Sequence, residues 1–363
     1  MEMKKLYLFS YVPLGYGSPQ FIYLLNNIAK LNKYDITVFE TFRFWIPFVD
    51  VEMDSCIKRK LIGGFFSRFY CNSKRGMLFR LLNFLNIKVS TSLNIIRIIF
   101  NSYFNDITVI VTEPNFFYFF LSRRTKLIDY NLEIWEDETK VKAHNVLYRT
   151  KVDYAIFPQE NRLKIAKKNY SSSTNFYLIE NAGEVSKYPL DETKYENNKA
   201  IFSGKISLYN IDNLKMIIEY LSSNNIETLI LGNIDINIAA DFYEYIKIKK
   251  VSYLGFVENK ELSQYMSKCS IGIITWDNST LNTKYCAPNK LYEYMSNGLF
   301  ILSIENVSMF NYISKYNCGL IIKDKDFRLD VDFIKKVGKN NYRLIAQGLT
   351  YDKLCQKFIT ECL

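Results

Sequence analysis

Short apolar runs of strand length alternate with segments of helical period along most of this chain, and that alternation restricts the fold more than any other feature. KKLYLFSY at 4–11, a helical stretch from about Pro19 to Leu31 and DITVFE at 35–40 make a first β-α-β unit. DITVIVTE (106–113), KLIDYNL (126–132) and VDYAIFPQ (152–159) follow, with residues 138–150 read as a helix before the last of them. After a polar stretch, EVSKYPLDETKYENN at 184–198, the pattern starts again: KAIFSGK, a helix from about Ile211 to Leu221, ETLILG, VSYLGF, a helix at 258–268, CSIGIITW, LFILSI and CGLIIK. Such alternation predicts an α/β architecture of two Rossmann-like, doubly wound parallel sheets. A chain of 363 residues fits two domains of roughly 150 to 200 residues. We place them at 1–183 and 184–345, with a final amphipathic helix in 346–363 that carries Leu354, Cys355, Phe358 and Ile359 on one stripe. No short-period repeat is visible, which excludes a solenoid.

The segment CAPNKLYEYMSNG, 286–298, bears the most chemistry. Pro288 suits the first turn of a helix, where its missing N–H costs nothing. The N–H groups of Asn289, Lys290 and Leu291 would then point along the positive end of the helix dipole, where phosphate binds readily. At helical spacing Leu291, Tyr294 and Met295 form an apolar stripe, while Asn289, Lys290, Glu293 and Asn297 fall on the other side. Gly298 ends the helix before the buried strand LFILSI. An exposed Lys/Glu pair without a ligand fits the same spacing.

This segment resembles the P-N-K-x-x-E-Y-x-x-x-G signature of GT-B glycosyltransferases of the family-4-like, or group 1, type. The resemblance extends more weakly over most of the chain and implies a GT-B fold, two Rossmann-like domains facing a cleft. It implies that Glu293 binds the ribose of a nucleotide sugar and that Asn289 and Lys290 face the diphosphate, with Pro288 and Leu291 counted in the same donor site. IFSGKIS at 201–207 resembles the family's strand-Gly-basic turn, so Gly204 and Lys205 join the donor site. YLGFVENKELSQY resembles the segment lining the nucleobase, with Gly255, Phe256 and Val257. GYGSPQ resembles the loop after the first strand, which puts Gly15, Tyr16 and Gly17 on the acceptor side. Asn181 resembles the interdomain hinge, and in the family the last helix crosses back to the first domain.

Two departures matter. The family's first glutamate, eight positions before Glu293, is replaced by Tyr285, and the loop STLNTKYCA lacks the glycines usual there. The only histidine, His144, falls in a predicted helix rather than after a late strand of the first domain, so Glu133 in DYNLEIWED is the better candidate for that catalytic position. With one histidine, scattered cysteines and no paired acids beside a strand, no metal site can be assembled. Lys205, Lys290 and helix N–H groups would then stabilise the departing diphosphate. No cofactor is expected beyond a UDP- or GDP-linked donor substrate.

Charge supplies the second clue. Nine of the ten net positive charges lie in residues 1–183, and residues 55–105 contain no acid. Lys58, Arg59, Lys60, Arg68, Lys74, Arg75, Arg80, Lys88 and Arg97 are interleaved there with Phe65, Phe66, Phe69, Tyr70, Phe79 and Phe84. Such a mixture suits an anionic membrane surface; a solvated basic face over buried aromatics is the alternative. No nucleic-acid-binding motif accompanies it, so no nucleic acid is expected as a partner. Seven cysteines without a regular framework indicate reduced thiols. The N-terminus reads as a strand, not a signal peptide, and no uncharged run reaches the ~20 residues that span a bilayer. The expectation is a cytoplasmic enzyme peripheral to a bacterial plasma membrane, transferring sugar to a glycan or lipid-linked oligosaccharide with retention. An inactive membrane-bound scaffold and a GT-B-fold nucleotide-sugar epimerase are the alternatives.

Overall fold

The computed structural model describes residues 3–11, 13–15, 19–41, 51–62, 77–112, 115–134, 148–247, 249, 251–322 and 328–363. They form two compact units: Met1–Glu180 with Cys355–Leu363, and Asn181–Leu354.

The first unit is a parallel sheet of strands β1 (Lys4–Ser10), β2 (Tyr34–Thr41), β3 (Lys58–Ile62), β4 (Ile107–Val111), β5 (Thr125–Tyr130), β6 (Tyr154–Phe157) and β7 (Asn175–Leu178). Their order is β3-β2-β1-β4-β5-β6-β7. The order reverses between β1 and β4, as in a doubly wound fold. Near-continuous apolar runs such as ITVIV, buried at every position, are what a sheet covered on both faces requires. β3 is an edge strand that sequence reading did not anticipate, because KRKLI looks like surface. Its charges are satisfied sideways instead. Arg59 forks onto Glu40 of β2 at 2.6 and 2.9 Å, and Lys58 pairs with Asp35 at 2.7 Å. Two cations of the expected basic patch are therefore tied to acids on the neighbouring strand. A second unanticipated element is a 28-residue helix, Met77–Phe104.

The C-terminal helix, Tyr351–Cys362, ends in the first unit. Phe358 is buried against Tyr177 and Tyr154, with ring centroids 5.2 and 6.4 Å away. Tyr34 donates to the Leu363 carbonyl at 2.7 Å, and Lys126 donates to that of Cys362.

The second unit repeats the plan with β8 (Lys199–Ser203), β9 (Glu227–Leu231), β10 (Val251–Gly255), β11 (Ile271–Ile274), β12 (Phe300–Ser303) and β13 (Gly319–Ile321). Their order, β10-β9-β8-β11-β12-β13, reverses between β8 and β11. Its core joins Leu214, Ile217, Ile218 and Leu221 of one helix to Ile230, Ile271, Ile273 and Phe300 of the strands. The polar stretch 184–198 belongs to this unit and is no bare linker. Glu192–Tyr195 forms a 3-10 turn that inserts Lys194 and Tyr195, exposed by only 2% and 1%.

Candidate functional site

In an open parallel sheet ligands bind beyond the carboxyl ends of the strands, near the point where strand order reverses. In the second unit three neighbouring strands reach that edge on glycine. Gly204 follows β8 and donates to the Leu231 carbonyl at 2.9 Å; Gly232 follows β9 and donates to the carbonyl of Gly255, the last residue of β10, at 2.7 Å. A Cβ on Gly232 would stand 2.0 Å from the Gly204 carbonyl oxygen, and its φ of +132° lies where other residues are strained. The three strand ends thus make a ledge of backbone. Gly204 and Gly255 were expected from sequence; Gly232 was not, although ETLILG carries the same strand-then-glycine signal. Lys205 stands exposed on the turn after Gly204, and Asn210 holds its carbonyl at 2.9 Å. Phe256 is 69% exposed, whereas Val257 packs partly into the core.

Within the segment 286–298 a helix spans Asn289–Ser296. Leu291, Tyr292, Tyr294 and Met295 are fully buried, which fixes the helix by one face. Tyr294 reaches furthest. Its ring lies over Gly272 of β11, where a Cβ would come within 2.4 Å, and its hydroxyl accepts from the Ser203 N–H at 3.0 Å. The helix is thereby coupled to the residue just before the Gly204–Lys205 turn. Lys290 and Glu293 share the opposite side, 2.5 Å apart, with side chains 31% and 36% exposed. They are paired with each other yet accessible to a ligand.

Three details differ from the sequence reading. Pro288 is the residue before the helix, not its first turn, and it is buried. The Leu291 N–H does not face outward; it donates to the Pro288 carbonyl at 3.2 Å, so Leu291 contributes packing, not an anion contact. Asn297 is buried. Its side chain accepts from Ser186 and Ser263 at 3.0 and 2.8 Å, and its carbonyl accepts from the Lys194 ammonium. Burial lowers that ammonium to about 8. Among the described residues no side chain caps the helix start through Pro288, and Tyr351 donates to the Asn289 side chain at 3.4 Å.

Where the signature pattern has glycines and a first glutamate, this chain has a short helical turn, Leu281–Lys284, closed by a Thr280/Thr283 capping box. Asn306 pins the turn, donating to the Thr283 carbonyl at 2.9 Å and to the Asp277 carbonyl. Side-chain hydrogen bonds thus set the loop's shape where glycines were expected.

In the first unit Glu133 is exposed on the loop after β5. The loop is held from beneath: buried Arg162 donates to the Leu132 carbonyl, Asn131 donates to the Tyr170 hydroxyl at 2.8 Å, and Tyr170 donates to Asp129 at 2.6 Å. Burial pushes the Asp129 carboxyl above its ordinary range, opposed by the bonds from Tyr170 and Asn131 and by the nearby Arg149. Gly15 is exposed with φ +90°. Tyr16, Gly17, His144 and much of the expected basic aromatic stretch lie outside the described residues. Among the described residues no three acids, histidines or cysteines gather as metal ligands.

No family model matches this chain, and no curated protein matches it. Solved structures do. HepE of Anabaena, in complex with UDP, is 10% identical over 99% of both chains with a TM-score of 0.66. Sucrose-phosphate synthase of Thermosynechococcus elongatus is 9% identical over 99% of this chain and 98% of that one, with a TM-score of 0.70. TarM of S. aureus, in complex with UDP, is 10% identical over 99% of both, with a TM-score of 0.63. At such identities the likeness is one of architecture: the chain has the fold of GT-B glycosyltransferases.

Proposed function

We propose that this protein is a glycosyltransferase that takes a sugar from a nucleoside diphosphate donor, UDP-linked by preference, and transfers it to a glycan hydroxyl. The observation that carries the reading is the half-exposed Lys290–Glu293 pair at an uncapped helix start, coupled through Tyr294 to the Gly204–Lys205 turn. Glu293 holds the ribose hydroxyls. Lys205, Lys290 and the N–H of Asn289 offset charge on the departing diphosphate without a divalent cation. Gly204, Gly255 and Phe256 border the nucleotide. HepE has also been solved with UDP-glucose, which supports a donor of this class.

The acceptor side belongs to the first unit, with Gly15 near its edge and Glu133 orienting the acceptor hydroxyl. The bond from the anomeric carbon to the diphosphate breaks as the acceptor oxygen bonds to that carbon from the same face, retaining configuration; the hydroxyl proton ends on the diphosphate. A lipid-linked acceptor in bacterial surface polysaccharide synthesis, reached from the cytoplasmic side of the membrane, fits the basic first half of the chain.

Calorimetric titration of UDP and GDP into wild type and Glu293→Gln tests the assignment. Loss of a charged hydrogen-bond acceptor weakens the preferred nucleotide by about tenfold or more. Equal affinity in the variant removes Glu293 from the site.

A further inference from the structure

We propose that the helix Met77–Phe104 is a membrane-docking element that lays an exposed apolar face on an anionic phospholipid bilayer. The inference deepens the lipid-linked acceptor reading above and rests on it for the purpose of the surface. One side of this helix is core, with Ile95, Ile98 and Ser102 at 0%, 4% and 0% exposure. Another side carries Leu85, Val89, Leu93, Ile96, Phe100, Tyr103 and Phe104, exposed by 38% to 77%. Steps of three and four place these seven within an arc of about 100°, along about 29 Å of helix. A solvated helix face normally carries polar residues, and a continuous apolar stripe of this length marks an interaction surface.

The surroundings select the occupant. Lys88 and Arg97, both exposed, flank the stripe on opposite sides, and no acid occurs from 55 to 105. At its C-terminal end Tyr103 donates to the Phe120 carbonyl at 3.2 Å, which adds Phe120, 45% exposed, beside the exposed Arg123 and Arg124. Two copies pairing through the stripe would bring like charges together with no acid of this segment to offset them; anionic headgroups offset them directly. Phenylalanine and tyrosine grouped with arginine suit the headgroup boundary. No described helix is long and apolar enough to cross a membrane. With its other side in the core, this one lies in the plane of the surface.

Full-length protein is sedimented with phosphatidylglycerol-containing vesicles and with pure phosphatidylcholine vesicles at low salt, beside a Leu93→Glu/Phe100→Glu variant. Wild type pellets with the anionic vesicles, and the variant partitions at least about tenfold less. Unchanged UDP affinity in the variant shows that the second unit is intact. Should the variant fold poorly, Phe100→Trp serves instead: its emission shifts to the blue and is quenched by brominated lipid when anionic vesicles are added. Three outcomes overturn the proposal: wild type that ignores anionic vesicles, a variant that binds them equally well, or a wild-type dimer that the variant dissolves, which assigns the stripe to a second copy. Absence of UDP binding in a wild type that still sediments would break the donor reading alone.

Discussion

The two sheets share one strand order but finish their carboxyl edges by different means. In the second unit the edge at β8, β9 and β10 is made of backbone: Gly204, Gly232 and Gly255 in succession, beside a helix start without a side-chain cap. In the first unit the edge after β5 is made of side chains, with Asp129, Tyr170, Asn131 and Arg162 bracing the loop under Glu133. A glycine edge lets a ligand approach the main chain closely, and at Gly232 it has no room for a Cβ. A side-chain edge depends on each polar partner being present. The proposed reading puts the nucleotide at the first kind of edge and the hydroxyl acceptor at the second.

The largest expected effect comes from adding one carbon to the backbone edge. Gly232→Ala forces a methyl against the Gly204 carbonyl at a positive φ, costing about 3 kcal/mol, near the upper end for overpacking. Because the displaced turn carries Lys205, UDP affinity also falls; urea unfolding and calorimetry read the two together. A variant that keeps both stability and UDP affinity would break the comparison on the second unit's side.

A smaller effect is expected on the other edge. Tyr170→Phe removes the donor to Asp129 and the acceptor for Asn131, at a cost of about 2 kcal/mol, while UDP affinity stays unchanged. The cost depends on pH. Since burial raises the Asp129 carboxyl, the folded chain keeps that proton to a higher pH than the unfolded chain, so stability from this group falls as pH rises through the raised value. The Tyr170 hydroxyl bonds more strongly to the ionised carboxylate, so the variant loses more above the raised value than below it. Urea unfolding across a pH series checks this; a loss that does not grow with pH would contradict it.

Much of the fold was legible because buried parallel strands read as short apolar runs and amphipathic helices by their period. The helix at 289–296 was legible by its spacing and by the resemblance it carries. Other parts were hidden for physical reasons. β3 reads as surface because the partners of its charges, Glu40 and Asp35, lie on a strand some twenty residues away. The helix 77–104 has apolar residues on two sides, one for the core and one for solvent, and this blurs any single period. Asn297 and Lys194 look like surface residues but lie in the interior, where the Lys194 ammonium donates to the Asn297 main-chain carbonyl, a pairing across 103 positions that no local pattern discloses. Gly232 carried a visible signal, yet its importance depends on Gly204 standing beside it.

The central claim is that the start of the helix Asn289–Ser296 and the glycine edge together hold a nucleoside diphosphate. Hydrogen–deuterium exchange with and without saturating UDP tests it most directly. The account predicts slowed exchange at Ser203–Ile206, Gly232 and Asn289–Glu293, with the amides of β13 unchanged. Exchange that is unaltered at these positions, or slowed only elsewhere in the chain, would contradict it.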